Sequence, residues 1–167
     1  MTRGPWHSGV FSACWAFTKQ LSAFYVFSKY GCFLSRVSGP SMFPTFSGHN
    51  DIVVVDALTP IFNGVQAGDV VICVRPVDPS EHIIKRVVAV AGDEVVLYPD
   101  KDHAHIRRVK VPVGHVWIQG DNLLHSLDSR VYGPVPAALL RGRVLYQIWP
   151  SLKAIPAYTG VYPPAAE

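Results

Sequence analysis

From Asp51 onward, apolar residues come in short valine-rich runs separated by Gly, Pro or Asp, and runs of that length and composition predict β-strands. DIVVVDAL (Asp51–Leu58) and DVVICVRP (Asp69–Pro76) predict two strands divided by a loop around Asn63-Gly64. IIKRVVAVAGDEVVLYP (Ile83–Pro99) predicts two more, joined by a hairpin turn at Ala91-Gly92-Asp93-Glu94. A charged loop, DKDHAHIRR (Asp100–Arg108), follows, and HVWIQGDN (His115–Asn122) and GRVLYQIWP (Gly142–Pro150) predict the last strands. Short strands at this spacing with few helices predict a mainly β fold, a coiled antiparallel sheet or partly open barrel. No internal repeat is visible, and the Pro- and Ala-rich tail after Trp149 adds little to a core.

The N-terminus has a different rhythm. Val10 to Leu34 (VFSACWAFTKQLSAFYVFSKYGCFL) is apolar and aromatic, interrupted by Lys19 and Lys29. A run of about 20 apolar residues crosses a bilayer, but a lysine near its middle costs roughly 2.5–3.5 kcal/mol. On a helix, Ser8, Ser12, Lys19 and Ser22 share one stripe, leaving a broad face of Phe11, Cys14, Phe17, Leu21 and Phe24. Such a helix spans beside a partner or lies in the membrane interface. The chain therefore divides into a targeting and membrane-anchor segment (1–36), a β domain (37–150) and the tail (151–167).

Composition and charge narrow the function classes. The net charge of +3 is small and its basic residues are dispersed, which does not favour a nucleic-acid surface. Met1 to Asn50 holds no Asp or Glu but has Arg3, Lys19, Lys29 and Arg36, the composition of a mitochondrial targeting region. Cys14, Cys32 and Cys73 form no CxxC pair, so neither a disulfide framework nor a cysteine metal site is expected. His103-Ala104-His105 is a weak metal pattern without further ligands nearby.

The candidate chemistry lies in three stretches. In SGPSMFPTF (Ser38–Phe46), Ser41 stands between two prolines beside a glycine, which marks either a turn or a nucleophile on a stiff loop. A serine hydroxyl needs a neighbouring base to become nucleophilic. In Ile83-Ile84-Lys85-Arg86-Val87-Val88-Ala89, alternation puts Lys85 on the face of Ile83, Val87 and Ala89, and Arg86 on the face of Ile84 and Val88. A buried lysine amine can deprotonate and a guanidinium cannot, so only Lys85 can serve as base. Periodicity alone also allows a lysine snorkelling to a strand rim. The third stretch, GHVWIQGDNLLHSLDSRVYGPVP (Gly114–Pro136), carries Asp121, Asn122, Ser126, Asp128, Ser129 and Arg130, with Asp128 and Arg130 able to pair.

Together with AGDVV (Ala67–Val71) and IIKRVVAVAGD (Ile83–Asp93), these stretches resemble, in order, the motif boxes of type I signal peptidases. The resemblance runs from about Val37 to Pro150 and is strongest to the mitochondrial branch of that family, which lacks the extra β-domain of many bacterial members. It implies Ser41 as nucleophile and Lys85 as general base. It also implies Ser126 as the hydroxyl positioning the lysine, Asp128 and Arg130 as a structural ion pair, and Gly39 and Met42 on the substrate cleft. No metal or organic cofactor is implied. The implied substrates are precursors with membrane-sorting presequences, cut on the intermembrane-space side of the mitochondrial inner membrane. The implied partners are a homologous second protease subunit and membrane lipid. Many bacterial members place a serine, an oxyanion donor, two residues before the nucleophile; here that position is Gly39, which leaves the second donor unassigned.

Rival readings remain open at this level. Ser41 could pair with His115 or His125 and Asp128 in a Ser/His/Asp hydrolase, although Lys85 would then lack a role. A bacterial-type signal peptidase, a self-cleaving repressor and a non-catalytic membrane-tethered peptide-binding β-domain each fit part of the same pattern.

Overall fold

The computed structural model describes residues 6–97 and 107–155. Helix α1 (Trp6–Tyr30) ends at Gly31, and strand β1 (Cys32–Val37) starts immediately. A loop containing a 3-10 turn (Pro40–Met42) leads to β2 (Asp51–Asp56) and a one-turn helix, α2 (Thr59–Phe62). Then come β3 (Val70–Arg75), β4 (Asp78–Ala89), β5 (Glu94–Leu97), β6 (Arg107–Lys110) and β7 (His115–Gln119). A second 3-10 turn (Leu123–His125), a one-turn helix α3 (Ser129–Tyr132), β8 (Val135–Pro136), β9 (Leu140–Trp149) and β10 (Lys153–Ala154) complete the described chain.

The main sheet runs β1-β2-β9-β3-β4-β7-β8, with β10 added to β9, and every pairing is antiparallel. Strand β3 is buried on both faces. Val70 and Ile72 pack with Val37, Met42, Phe46, Val53, Val55, Ile84 and Val144 on one side. Val71 and Cys73 pack with Ile83, Val87, Val116, Ile118 and Val135 on the other. Strands bury both faces without covering helices only where the sheet curls over itself, which its right-handed twist permits. The mainly β, antiparallel fold read from the sequence is the one observed.

Three expectations are corrected. The run Cys32–Val37, which by composition continues the helix and the anchor segment, forms β1 instead, paired from Cys32 opposite Asp56 to Val37 opposite Asp51. Gly31 breaks the helix, so a boundary at residue 36 falls inside the sheet. Strand β4 begins at Asp78, five residues before Ile83, because the polar stretch to His82 pairs with the end of β3. The turn at Ala91–Glu94 exists, with Gly92 at φ 95°, but β5 does not fold back on β4. It pairs with β6 in a separate two-stranded ribbon, covering a small core of Ala89, Val95, Val111 and Trp117. The pair His103 and His105 lies outside the described residues.

Candidate active site

The loop from Ser38 to Gly48 is tied at its base, its middle and its tip. At the base, Gly39 N–H donates to Gly48 O at 3.1 Å. A side chain at Gly48 would come within 2.9 Å of Gly39 O, and its φ of +76° favours glycine in any case. The buried Asp51 carboxylate accepts from Ser47 Oγ and Gly48 N at 3.0 Å each and from Gln147 Nε2 at 2.9 Å, fixing the loop to β2 and β9. In the middle, Met42 and Phe46 are each 1% exposed and bury their side chains in the core. At the tip, Asn122 donates its backbone N–H to Ser41 O at 3.0 Å and its side-chain amide to Pro40 O at 3.1 Å. Ser41 is thus held rigidly from both sides, with its hydroxyl left on an open cleft.

Facing it is Lys85. Strand register places Lys85 opposite Val71, on the face predicted from alternation, and the residue is 3% exposed. Its Nζ lies 2.8 Å from Ser41 Oγ and donates to Ile84 O at 3.0 Å. Burial lowers its pKa below the ordinary lysine value; the Asp128 carboxylate pulls the other way without cancelling it. Desolvation thus favours the neutral amine that a base must be.

Arg86, the next residue, is also buried but points to the opposite face. It forms a two-pronged pair with Asp121, Nε to Oδ1 at 2.9 Å and Nη2 to Oδ2 at 2.8 Å, and donates Nη1 to Gly68 O at 2.8 Å. Thr45 donates its hydroxyl to the same Asp121 carboxylate. The network joins the Ser41 loop, the strand carrying Lys85 and the loop after β7. Sequence reasoning assigns no role to Thr45 or to Asp121. An arginine amid apolar residues on a strand is the available signal, because a buried guanidinium requires a carboxylate.

The loop after β7 packs against Ser41 through Gly120, where an added Cβ would come within 2.3 Å of Ser126 Oγ and 2.4 Å of Ser41 O. Only glycine allows this approach. Asp128 is fully buried, accepting from Gly120 N at 3.0 Å and from Arg130 Nε and Nη2 at 2.9 and 3.0 Å. Burial works to raise its pKa, but the Arg130 pair and the Gly120 amide outweigh this and hold it below the usual carboxylate value. Arg130 also caps Leu123 O at 2.7 Å, so the expected ion pair forms and braces the loop. Ser126 Oγ is buried beside the Asp128 carboxylate, which its hydroxyl helps to hold below the usual value, and no bond joins it to Lys85.

A cleft of about 380 Å³ opens over the Ser41–Lys85 pair, walled by Ser35–Ser41 on one side and by Ile83 and Ile84 on the other. Gly39 lies on its wall. Met42 does not: its thioether turns inward and anchors the loop from below, since an apolar side chain gains more in the core than on an open cleft. His125 reaches the cleft wall, but its Nδ1 faces Asn122 Oδ1 at 3.4 Å and Ser41 Oγ is bonded to Lys85 instead. His115 Nδ1 contacts Val113 O. The Cys73 thiol, fully buried behind Lys85, is pushed up to about 12 by burial, only partly offset by the lysine charge, and stays protonated at neutral pH.

The family of signal peptidases, peptidase S26, matches residues 11–102 and 97–149, well over half of the chain. The chain belongs to the signal peptidase family. A mouse protein named mitochondrial inner membrane protease subunit 1 is 48% identical over 113 residues, which cover 68% of this chain and 67% of the relative. A fission-yeast (Schizosaccharomyces pombe) protein of the same name is 38% identical over 133 residues, covering 78% of this chain and 83% of the relative. Among solved structures, a signal peptidase I from Enterococcus faecalis covers 47% of this chain and 95% of its own, at 19% identity and a TM-score of 0.40. As a signal peptidase, this chain is a serine protease.

Proposed function

We propose that the chain is a membrane-bound endopeptidase that uses a Ser41–Lys85 dyad to remove sorting presequences from precursors at the mitochondrial inner membrane, with its catalytic domain on the intermembrane-space side. The observation that carries the dyad is the 2.8 Å contact between Ser41 Oγ and an amine buried to 3% exposure. Neutral Lys85 accepts the Ser41 proton as the hydroxyl attacks a peptide carbonyl. The resulting ammonium hands that proton to the leaving amine, and water attacks the acyl-enzyme with the same lysine as base. Substrate lies extended in the cleft between the free edge of β1 and the Ile83–Lys85 stretch of β4, in the manner of an added strand.

Hydrogen-bond accounting gives Ser126 its place. A neutral amine has two N–H groups and one lone pair. The lone pair takes the Ser41 proton and one N–H already meets Ile84 O, leaving one N–H to satisfy. Ser126 Oγ is a buried hydroxyl oxygen, and we assign it as the acceptor for that N–H. Asp128 and Arg130 hold Ser126 in place.

The location and the partner rest on the relatives, which are named as a subunit of a mitochondrial inner membrane protease. A homologous second subunit fits that name. Among the described residues no helix is long and apolar enough to cross a membrane. Helix α1, about 37 Å long at 1.5 Å per residue, exposes Trp15, Phe17, Leu21 and Tyr25, with Lys19 over the Trp15 ring at 5.1 Å. Such a surface suits a membrane interface.

The test is cleavage of a presequence-bearing precursor by mitochondrial membranes carrying wild type, Ser41→Ala, Lys85→Met or His125→Ala. Loss with the first two variants and retention with the third supports the dyad. Activity in Lys85→Met alongside a dead His125→Ala would make the imidazole the base.

A further inference from the structure

The attacking hydroxyl accounts for only half of the chemistry, because the carbonyl oxygen becomes an oxyanion and needs donors. Losing one such donor in a serine protease costs about 10²–10³ in kcat. The nucleophile loop has few to offer. Pro40 has no N–H. Gly39 N–H is spent on Gly48 O. Ser41 N–H is unengaged among the described residues, which supplies one donor beside the nucleophile.

Position 39 cannot supply the second through a side chain. Gly39 has φ 97° and ψ 159°, a region open almost only to glycine. A Cβ there would meet no atom within 4 Å, so space is not the obstacle; the backbone conformation is. The clamp between Gly39 and Gly48 and the fixed φ of Pro40 hold that conformation.

We infer that Ser38 supplies the second oxyanion donor through its side-chain hydroxyl. Ser38 lies on the cleft wall with Gly39, Pro40 and Ser41, is exposed, and has no hydrogen-bond partner among the described residues. It stands at the start of the clamped segment, immediately after buried Val37 at the end of β1, so its Cα is fixed while its hydroxyl rotates freely. In the ground state the hydroxyl faces water; in the tetrahedral intermediate it donates to the oxyanion beside the Ser41 N–H. A donor that bonds only the developing oxyanion acts on kcat, not on substrate binding.

The inference rests on Ser41 being the nucleophile, and the experiment separates the two. The full chain in membranes is assayed with a quenched-fluorescent peptide spanning a presequence cleavage junction, and with the matching peptide aldehyde, which forms a tetrahedral adduct on the serine. Ser38→Ala is expected to lower kcat on the order of 10²–10³-fold. KM and melting temperature stay unchanged, the rise of activity with pH stays where Lys85 sets it, and aldehyde affinity falls by the same factor as kcat. Ser38→Thr, which keeps the hydroxyl, retains most of the activity, and Gly39→Ser in the Ser38→Ala background does not restore it. Wild-type kcat in Ser38→Ala, or a loss confined to KM, overturns the inference. So does an equal loss in the alanine and threonine variants with a lowered melting temperature. An active Ser41→Ala would overturn the nucleophile assignment itself.

Discussion

Lys85 and Arg86 are consecutive residues of one strand, both nine-tenths or more buried, and the fold treats their charges in opposite ways. Arg86 meets a carboxylate head-on, is locked by two hydrogen bonds to Asp121, and ties Thr45 into the same network. Lys85 meets a hydroxyl and a carbonyl; Asp128 and Asp121 influence it only from a distance. The difference follows from chemistry. A guanidinium cannot shed its proton, so burying it requires a counter-ion, whereas an ammonium denied one can lose its proton and become a base. Strand alternation puts the fixed charge on the structural face and the adjustable one on the cleft.

The comparison breaks most sharply if the two roles are exchanged. Lys85→Met removes the proposed base and is expected to lower cleavage on the order of 10⁴-fold or more, measured as single-turnover rate on a precursor peptide. Lys85→Arg should be as inactive, because its guanidinium stays charged at every accessible pH. Arg86→Met leaves Asp121 buried without its partner and should cost about 3–5 kcal/mol of stability in denaturant unfolding. The double variant Arg86→Met/Asp121→Leu should recover most of that loss, because no charge is then left stranded. Recovery of stability without recovery of rate would show that the network also aligns the nucleophile loop.

Two smaller effects sharpen the picture on the lysine side. Gly120→Ala forces a methyl group against Ser126 Oγ and Ser41 O, and should lower kcat roughly 10²-fold through misalignment with about 1–3 kcal/mol of destabilisation. Ser126→Ala removes the acceptor proposed for the second lysine N–H, and is expected to cost about 1 kcal/mol of transition-state stabilisation, roughly fivefold in kcat. An undiminished rate in Ser126→Ala would leave Lys85 positioned by Ser41 and Ile84 alone.

Much of the site is legible without the fold. Lys85 stands out because a cation amid Ile83, Val87 and Ala89 contradicts the apolar rhythm of its strand, and Ser41 because two prolines and a glycine stiffen its surroundings. Alternation even assigns Lys85 and Arg86 to their observed faces. What escapes depends on contacts between distant segments. The approach of Gly120 to Ser41 O and the Thr45–Asp121 bond join residues far apart in sequence, and nothing local marks them. Strand β1 is hidden because Cys32–Val37 continues the apolar composition of α1, and only Gly31 marks the break. Met42 is misplaced because its position beside the nucleophile says nothing about which way the chain turns its side chain. The polar start of β4 reads as a loop because its residues lie on an exposed rim, where a strand needs no apolar face.

Burial lowers the Lys85 pKa and so favours the neutral amine that a general base must be, and titration of this residue tests that most directly. In the full chain with isotope-labelled lysine side chains, assigned by comparison with Lys85→Met, the Lys85 Cε resonance should titrate below the ordinary lysine value of about 10.4. Because the lysine is active only when unprotonated, cleavage should rise with pH through that same midpoint, below the range of a free lysine. A Lys85 that titrates at or above the ordinary value, with cleavage already at its maximum while the amine is fully protonated, would rule Lys85 out as the base.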